Sequence, residues 1–144
     1  MFLYSLSRSN TALSTTNDFV TILANANRAL EIAEISFVGM ATASAANEIF
    51  VARSTGGTTG GGALTAVPLH SSAPSAAFTN FTTWSAQPTA GNVILRLGVN
   101  ANGGVYRWVR TPNLRVIIPA NTQISIRSAV GTSNMSAHIV VEEI

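Results

Sequence analysis

The strongest constraint on the fold is a run of alternating side chains between residues 91 and 129. In its first segment apolar residues occupy every second position: Val93, Leu95, Leu97 and Val99. A period of two is typical of a β-strand, whose successive side chains point to opposite faces. Comparable short segments follow, each ending at residues that favour turns. The sequence therefore predicts four consecutive strands joined as an antiparallel β meander.

Turn-forming residues separate these four strands at three joints. Residues 100–104 (NANGG) tolerate a positive φ at low cost, so the chain can reverse there. Pro112 lacks the backbone N–H that a ladder needs, and Pro119 begins another turn. The predicted strands are residues 93–99, 105–110, 114–118 and 124–126.

Further strands are predicted before and after this region. Alternation marks residues 18–24, 47–53 and 135–142, and the last segment carries its apolar side chains on one face. Residues 29–40 (ALEIAEISFVGM) also fit a short amphipathic helix, but they lack an N-cap and include β-branched and aromatic side chains. We interpret them as a strand with a β-bulge at Ala33–Glu34, where the apolar alternation changes phase.

Two regions fit the strand pattern less well. Residues 1–17 form either a strand followed by a loop or an extended arm that becomes ordered on a neighbouring molecule. Residues 54–90 are rich in Gly, Ser, Thr and Pro, yet carry more large apolar side chains than a linker needs. We predict a long, ordered, irregular loop whose aromatic residues dock on the sandwich or on a partner chain.

These segments add up to about eight to ten short strands without a clear helix. The predicted fold class is all-β: an antiparallel β-sandwich, jelly-roll-like, with one long irregular loop at residues 54–90. Residues 29–144 are expected to form the sandwich domain and residues 1–28 an N-terminal strand or arm. At 144 residues the whole is most simply a single domain.

Composition limits the kind of partner. Charged residues are 10% of the chain, against about 25% in an average soluble domain, and lysine is absent. A surface of small polar and apolar residues suits packing into an assembly, where every buried charge would need a partner. The eight arginines are scattered singly, so we expect no nucleic-acid partner. We also expect no membrane partner, because no apolar run approaches the roughly 20 residues of a membrane helix.

The ionisable residues predict no catalytic, metal or cofactor site. Glu31 and Glu34 would lie on opposite faces of a regular strand, and only a bulge would bring them together for acid–base catalysis. Carboxylates that are either solvated or paired with arginine are the favoured alternative. His70 and His138 are the only imidazoles, too few for a metal site without cysteine. Residues 56–62 (GGTTGGG) lack the Gly-Lys-Ser/Thr end of a phosphate loop.

Aromatic residues form the candidate interface. Tyr106 and Trp108 share one face of a predicted strand whose other face carries Val105 and Val109. Either this strand is buried on both faces or the aromatic row forms an interface. Aromatic residues of the long loop join the group. The candidate interface residues are Phe78, Phe81, Trp84, Tyr106 and Trp108.

Three stretches carry a family resemblance: EIFVARSTGGTTGGGALTAVPL, NVILRLGVNANGGVYRWV and PANTQISIRSAVGTSNMSAHIVVEE. They fall within residues 29–143 and resemble small structural proteins of tailed bacteriophages. The resemblance implies a capsid decoration, or cement, protein with a compact β fold. It also implies a homotrimer that clamps neighbouring major capsid subunits on the virion surface, after synthesis in the host cytoplasm.

Other functions fit the same sequence. A carbohydrate-binding sandwich would use Trp84, Tyr106 and Trp108 as stacking platforms for sugar rings. A tail- or fibre-associated structural role is a further alternative. A hydrolase would need Glu31, Glu34 and His70 to converge in one pocket.

Overall fold

All thirteen regular elements of the chain are β-strands. The structure, a computed structural model, describes residues 1–144. In chain order the strands are β1 (Phe2–Ala12), β2 (Val20–Leu23), β3 (Leu30–Met40), β4 (Ala46–Thr55), β5 (Thr58–Gly61), β6 (Val67–Pro68), β7 (Thr79–Phe81), β8 (Thr83–Ala86), β9 (Thr89–Asn100), β10 (Asn102–Val109), β11 (Val116–Ile118), β12 (Gln123–Val130) and β13 (Asn134–Glu143). The predicted all-β class is confirmed.

Two antiparallel sheets form the sandwich. Sheet A has the strand order β10-β3-β13-β1-β6, and β11 pairs with the beginning of β3. Sheet B has the order β7-β2-β12-β4-β9. Strands β5 and β8 pair only with each other and form a small third sheet, which we call the β5–β8 ribbon.

The strand order is that of a jelly roll. Eight principal strands divide four and four between the sheets: β1, β2, β3, β4, β9, β10, β12 and β13. Counted from one to eight along the chain, they lie in the orders 1-8-3-6 and 2-7-4-5. These orders are typical of a jelly roll built from two Greek keys. The predicted jelly-roll-like sandwich is therefore confirmed.

The core lies between the inner faces of the two sheets. A single cluster of 24 buried residues fills it. At its centre Phe37 of β3 meets Phe19 edge to face, with ring centroids 5.4 Å apart. Each fully buried large apolar side chain contributes about 1.5–3 kcal/mol relative to exposure, so this cluster is the main source of stability.

The β-bulge predicted in β3 is present. Val140 of β13 lies opposite Glu34, whereas the next residue, Val141, lies opposite Ile32, so Ala33 is the extra residue. The bulge turns both halves of the apolar alternation toward the core. Leu30, Ile32, Ile35 and Phe37 are all fully buried.

The N-terminal region is part of the sandwich. Strand β1 pairs with β13 from Phe2 to Ala12, and its Tyr4 and Leu6 are fully buried in the core. Strand β2 also falls within residues 1–28 and pairs with β12. Of the two alternatives for this region, the structure has the strand and not an extended arm.

The predicted meander is wrong in its pairing, although its four strands exist. Strand β9 belongs to sheet B, β10 and β11 to sheet A, and β12 to sheet B. The chain therefore crosses between the sheets after β9 and again after β11, and β10 and β11 both pair with β3 instead of with each other. Alternation reports which residues share a face, a local property, whereas pairing depends on packing between distant segments.

Residues 54–90 are more regular than predicted. They contain the end of β4, the short strands β5 to β8, and the start of β9. The side chain of Asn80 in β7 spans the segment, because its Oδ1 accepts from Leu64 N at 2.7 Å and its Nδ2 donates to Leu64 O at 3.0 Å. The segment is ordered, as expected, and its aromatic residues dock on the sandwich of the same chain.

Candidate functional surface

Phe78, the first of the five candidate interface residues, lies in the core. Its side chain is only 6% exposed and meets the ring of Tyr4 edge to face, with centroids 5.8 Å apart. The preceding loop is held by Glu143, whose carboxylate accepts a hydrogen bond from Ala77 N at 2.5 Å and pairs with Arg28 at 3.2 Å. Phe78 therefore fixes the long segment to the sandwich.

Phe81 and Trp84 hold the β5–β8 ribbon. Their ring centroids are 4.8 Å apart, and each ring lies against a glycine in β5 or directly before it. A Cβ atom at Gly57 would lie 2.6 Å from the Trp84 ring, and one at Gly60 would lie 2.6 Å from the Phe81 ring. The glycine-rich stretch thus leaves room for these rings, which is a packing role.

A buried polar network lies beneath the ribbon, on the outer face of sheet B. Asp18 Oδ2 accepts hydrogen bonds from Thr21 Oγ1 and Ser125 Oγ, both at 2.5 Å, and Oδ1 accepts from Arg127 Nε at 2.7 Å. Ser125 and Ser54 are joined at 2.8 Å. Every buried side-chain polar atom of the chain has a partner.

The β5–β8 ribbon and the residues after it cover this network and bond to it. Trp84 Nε1 donates to Thr21 Oγ1 at 2.9 Å, and Gln87 Oε1 accepts from Asp18 N at 2.9 Å. Arg127 Nη2 reaches the carbonyl of Pro88 at 3.0 Å. Sequence analysis missed this cluster, because polar residues alternating with isoleucine in β12 look like solvent-facing positions.

Tyr106 and Trp108 lie on the inner side of β10, half-buried against the core. Val105 and Val109 point outward from sheet A, with exposed fractions of 68% and 43%. The prediction that this strand is buried on both faces is wrong, because its valine face is exposed. Its aromatic face packs against the core of the same chain. The exposed apolar surface of β10 is therefore formed by Val105 and Val109 and not by the aromatic rings.

Glu31 and Glu34 share the outer face of sheet A because of the bulge, but each binds arginine instead of the other. Glu31 accepts a bidentate hydrogen bond from Arg115, at 2.8 and 2.6 Å, and also pairs with Arg110 at 3.1 Å. Glu34 accepts from Arg107 Nε at 2.6 Å and Nη2 at 3.3 Å. Of the two expected alternatives, solvated or paired with arginine, the structure shows pairing with arginine for both carboxylates.

These arginines lower the pKa of both carboxyl groups. The hydrogen bond from Arg115 is the main cause for Glu31, and burial, which would raise the pKa, opposes it. The hydrogen bond from Arg107 plays the same part for Glu34. A carboxyl group with a lowered pKa stays ionised and is unsuited to donate a proton near neutral pH.

Stability is therefore expected to fall in acid. A folded-state pKa below the ordinary 4.5 of glutamate means that the Glu31 contribution is complete above that value and is lost as the pH falls through the lowered one. Urea midpoints measured between about pH 5 and about pH 3 should decline, and Glu31→Gln should make the decline shallower. Glu48→Gln serves as the control for removing a surface carboxylate. Equal slopes for the wild type and Glu31→Gln would contradict this assignment.

The histidines make no contact with a carboxylate. His70 Nδ1 is 2.8 Å from Ser72 Oγ in an exposed turn, and His138 Nδ1 is 3.4 Å from Ser7 Oγ on the outer face of sheet A. No group of three or more His, Cys, Asp or Glu side chains is arranged to hold a metal ion. No helix in the chain is long and apolar enough to span a membrane.

The surface clefts are lined by groups that already have partners. One cleft of about 380 Å3 lies beside the ion pairs of Glu31 with Arg110 and Arg115. Another of about 430 Å3 lies in the long segment, where the Asn80 amide is already bonded to Leu64. Neither cleft offers a free charged side chain as an anchor for a ligand.

Comparisons with protein-family models, curated proteins and solved structures give no match for this chain.

Proposed function

We propose that the chain is a structural virion protein that decorates a capsid, binding major capsid subunits and further copies of itself. The observation that carries the proposal is that the charged side chains are bonded to groups within the same chain. All six carboxylates form ion pairs with arginine inside the same chain. The two remaining arginines donate to backbone carbonyls, Arg8 to Phe19 and Arg53 to Ile117.

Such a surface has few unpaired charges with which to select a partner, since only Arg8 and Arg53 lack a carboxylate. Recognition then depends on exposed apolar side chains, small polar groups and backbone edges, which suits close contact with another protein surface. A nucleic-acid or strongly charged partner would require a cluster of unpaired charges. A protein lattice is the class of partner that fits best.

The fold supports the proposal by analogy only. Jelly rolls occur in viral capsid proteins and in lectins, among others, and one fold serves many functions. The observed rings do not favour carbohydrate binding. The Trp84 ring packs against Phe81 and donates a hydrogen bond to Thr21, whereas Tyr106 and Trp108 pack against the core. Stacking on a sugar requires an open ring face.

The proposal predicts capsid binding that resists salt. Purified protein added to capsids assembled without it should bind stoichiometrically and raise their disruption temperature. Because most charged side chains are already paired within the chain, affinity should change less than about tenfold between about 0.1 and 1 M salt. Co-sedimentation and thermal disruption of the particles measure both quantities. Absence of binding, or recovery of the protein only with tails, would overturn the proposal.

A further inference from the structure

One side of the jelly roll ends in two long edge strands. Strand β10 is the edge of sheet A and β9 is the edge of sheet B, and the two strands contact each other. We call this side the β9–β10 flank. An edge strand leaves one row of backbone N–H and C=O groups without a ladder partner, so it is a template for another extended strand.

The opposite side of the sandwich ends in two very short edge strands. Its edge strands are β6, with two residues including Pro68, and β7, with three residues. Very short strands and proline are the usual devices that prevent pairing at an edge. Strand β6 covers only Tyr4 and Ser5 of β1, and the rest of the β1 edge is interrupted by a register irregularity between Arg8 and Thr11. The β9–β10 flank is therefore the side better suited to strand pairing.

Strand β10 is the better template of the two long edges. The pairing of β9 with β4 is interrupted by two irregularities near Ala52, and bulges twist an edge away from a flat partner. The pairing of β10 with β3 is regular from Val105 to Val109. These five residues include no proline and no lysine.

The side chains of this stretch are self-complementary. In an antiparallel pair of two β10 strands centred on Arg107, Val105 faces Val109 of the second copy and Tyr106 faces Trp108 of the second copy. Both valines are exposed and both rings are half-buried, so valine faces valine and aromatic ring faces aromatic ring. A centre at Tyr106 would instead place Val105 opposite Arg107.

Arg107 faces itself in this register, which would be unfavourable for two free cations. Each Arg107 is held by Glu34 of its own chain through two hydrogen bonds, at 2.6 and 3.3 Å. The centre then contains two cations and two carboxylates. The charge that normally protects an edge is thus neutralised within each copy.

We propose that the β10 edge pairs antiparallel with β10 of a second copy, about a two-fold axis at Arg107. This inference rests on the proposed assembling function and names the surface through which copies meet. Sheet A then continues across the axis as one sheet. The product is a dimer, in contrast to the trimer that the family resemblance implies.

Cysteine cross-linking tests the register, because the chain has no cysteine of its own. Directly opposite residues of an antiparallel pair have Cα atoms about 4.5–5.5 Å apart, which suits a disulfide. Arg107→Cys should give a covalent dimer under mild oxidation. Val105→Cys alone should not, since the two copies of residue 105 would lie about 13 Å apart by strand rise. Val105→Cys/Val109→Cys should cross-link again.

Charge variants test the same pairing in the full chain without cross-linking. Light scattering should give twice 15.0 kDa for the wild type. Val105→Lys/Val109→Lys places introduced lysines opposite each other and should give monomers, whereas Val105→Lys/Val109→Glu should restore the dimer. Val67→Lys is the matched control, at a valine of the opposite edge that is 51% exposed, and should remain dimeric.

The outcomes separate this inference from the proposed function. A wild-type monomer, a trimer, or cross-linking of Val105→Cys as fast as Arg107→Cys would overturn β10 pairing. Capsid binding by such a protein would leave the decoration function standing. Conversely, a dimer that is abolished by the lysine pair but never binds capsids would support β10 pairing and refute the decoration function.

Discussion

Replacing Asp18 with alanine is expected to lower the free energy of unfolding by about 3–5 kcal/mol. Asp18 is buried, and its carboxylate accepts from Thr21, Ser125 and Arg127. Removing it leaves the Arg127 guanidinium, whose side chain is 13% exposed, without its counter-charge. The buried Thr21 hydroxyl loses its acceptor at the same time, whereas Ser125 keeps its hydrogen bond to Ser54.

Urea denaturation at neutral pH measures this loss as a lower midpoint with an unchanged slope. Asp18→Asn keeps the volume but removes the charge, so it should fall between alanine and the wild type. The control is Glu48→Ala, which breaks the exposed ion pair with Arg96 and should cost less than about 1 kcal/mol. Equal effects at Asp18 and Glu48 would show that the network beneath the β5–β8 ribbon contributes little.

Gly39→Ala is the second large effect, expected at about 3 kcal/mol or more. An added Cβ would lie 2.1 Å from the carbonyl oxygen of Asn100 and 2.4 Å from that of Ala101. Both atoms belong to the backbone where the chain crosses from sheet B to sheet A. Since backbone cannot move aside as a flexible side chain can, the crossing must shift.

Gly98→Ala is the matched control for this variant. Nothing lies within 4 Å of a Cβ at Gly98, which is a residue of the exposed edge strand β9. Alanine should there stabilise the protein by up to about 1 kcal/mol, because it reduces the freedom of the unfolded chain. Thermal unfolding of both variants tests the pair. If Gly39→Ala were as stable as Gly98→Ala, the crossing would not depend on close approach of the backbone at Gly39.

Local patterns predicted much of the secondary structure. Alternation located the strands around residues 93–99 and 135–142, and the phase change in β3 located the bulge at Ala33. These features depend on which neighbouring side chains share a face. For Glu31 and Glu34 the sequence predicted carboxylates that are either solvated or paired with arginine, and the structure decided for pairing.

The candidate surface was harder to predict than the strands. Phe78, Phe81 and Trp84 are the large apolar groups of a glycine-rich segment, and such groups serve equally well to anchor a segment or to bind a partner. The structure uses them as anchors. In β10 both faces carry large apolar side chains, so periodicity did not identify the inner one. Packing against Phe37 and Ile35 turned Tyr106 and Trp108 inward.

The sequence by itself determined that this protein is an all-β sandwich with few charges. Period two, turn residues and the scarcity of charge are properties of neighbouring residues and of composition. Only the tertiary structure decided that the strands of residues 91–129 are divided between two sheets, that the β5–β8 ribbon covers a polar network, and that β10 is an open edge. Each of these depends on contacts between segments far apart in the chain, whose free energy exceeds the cost of closing the loops between them.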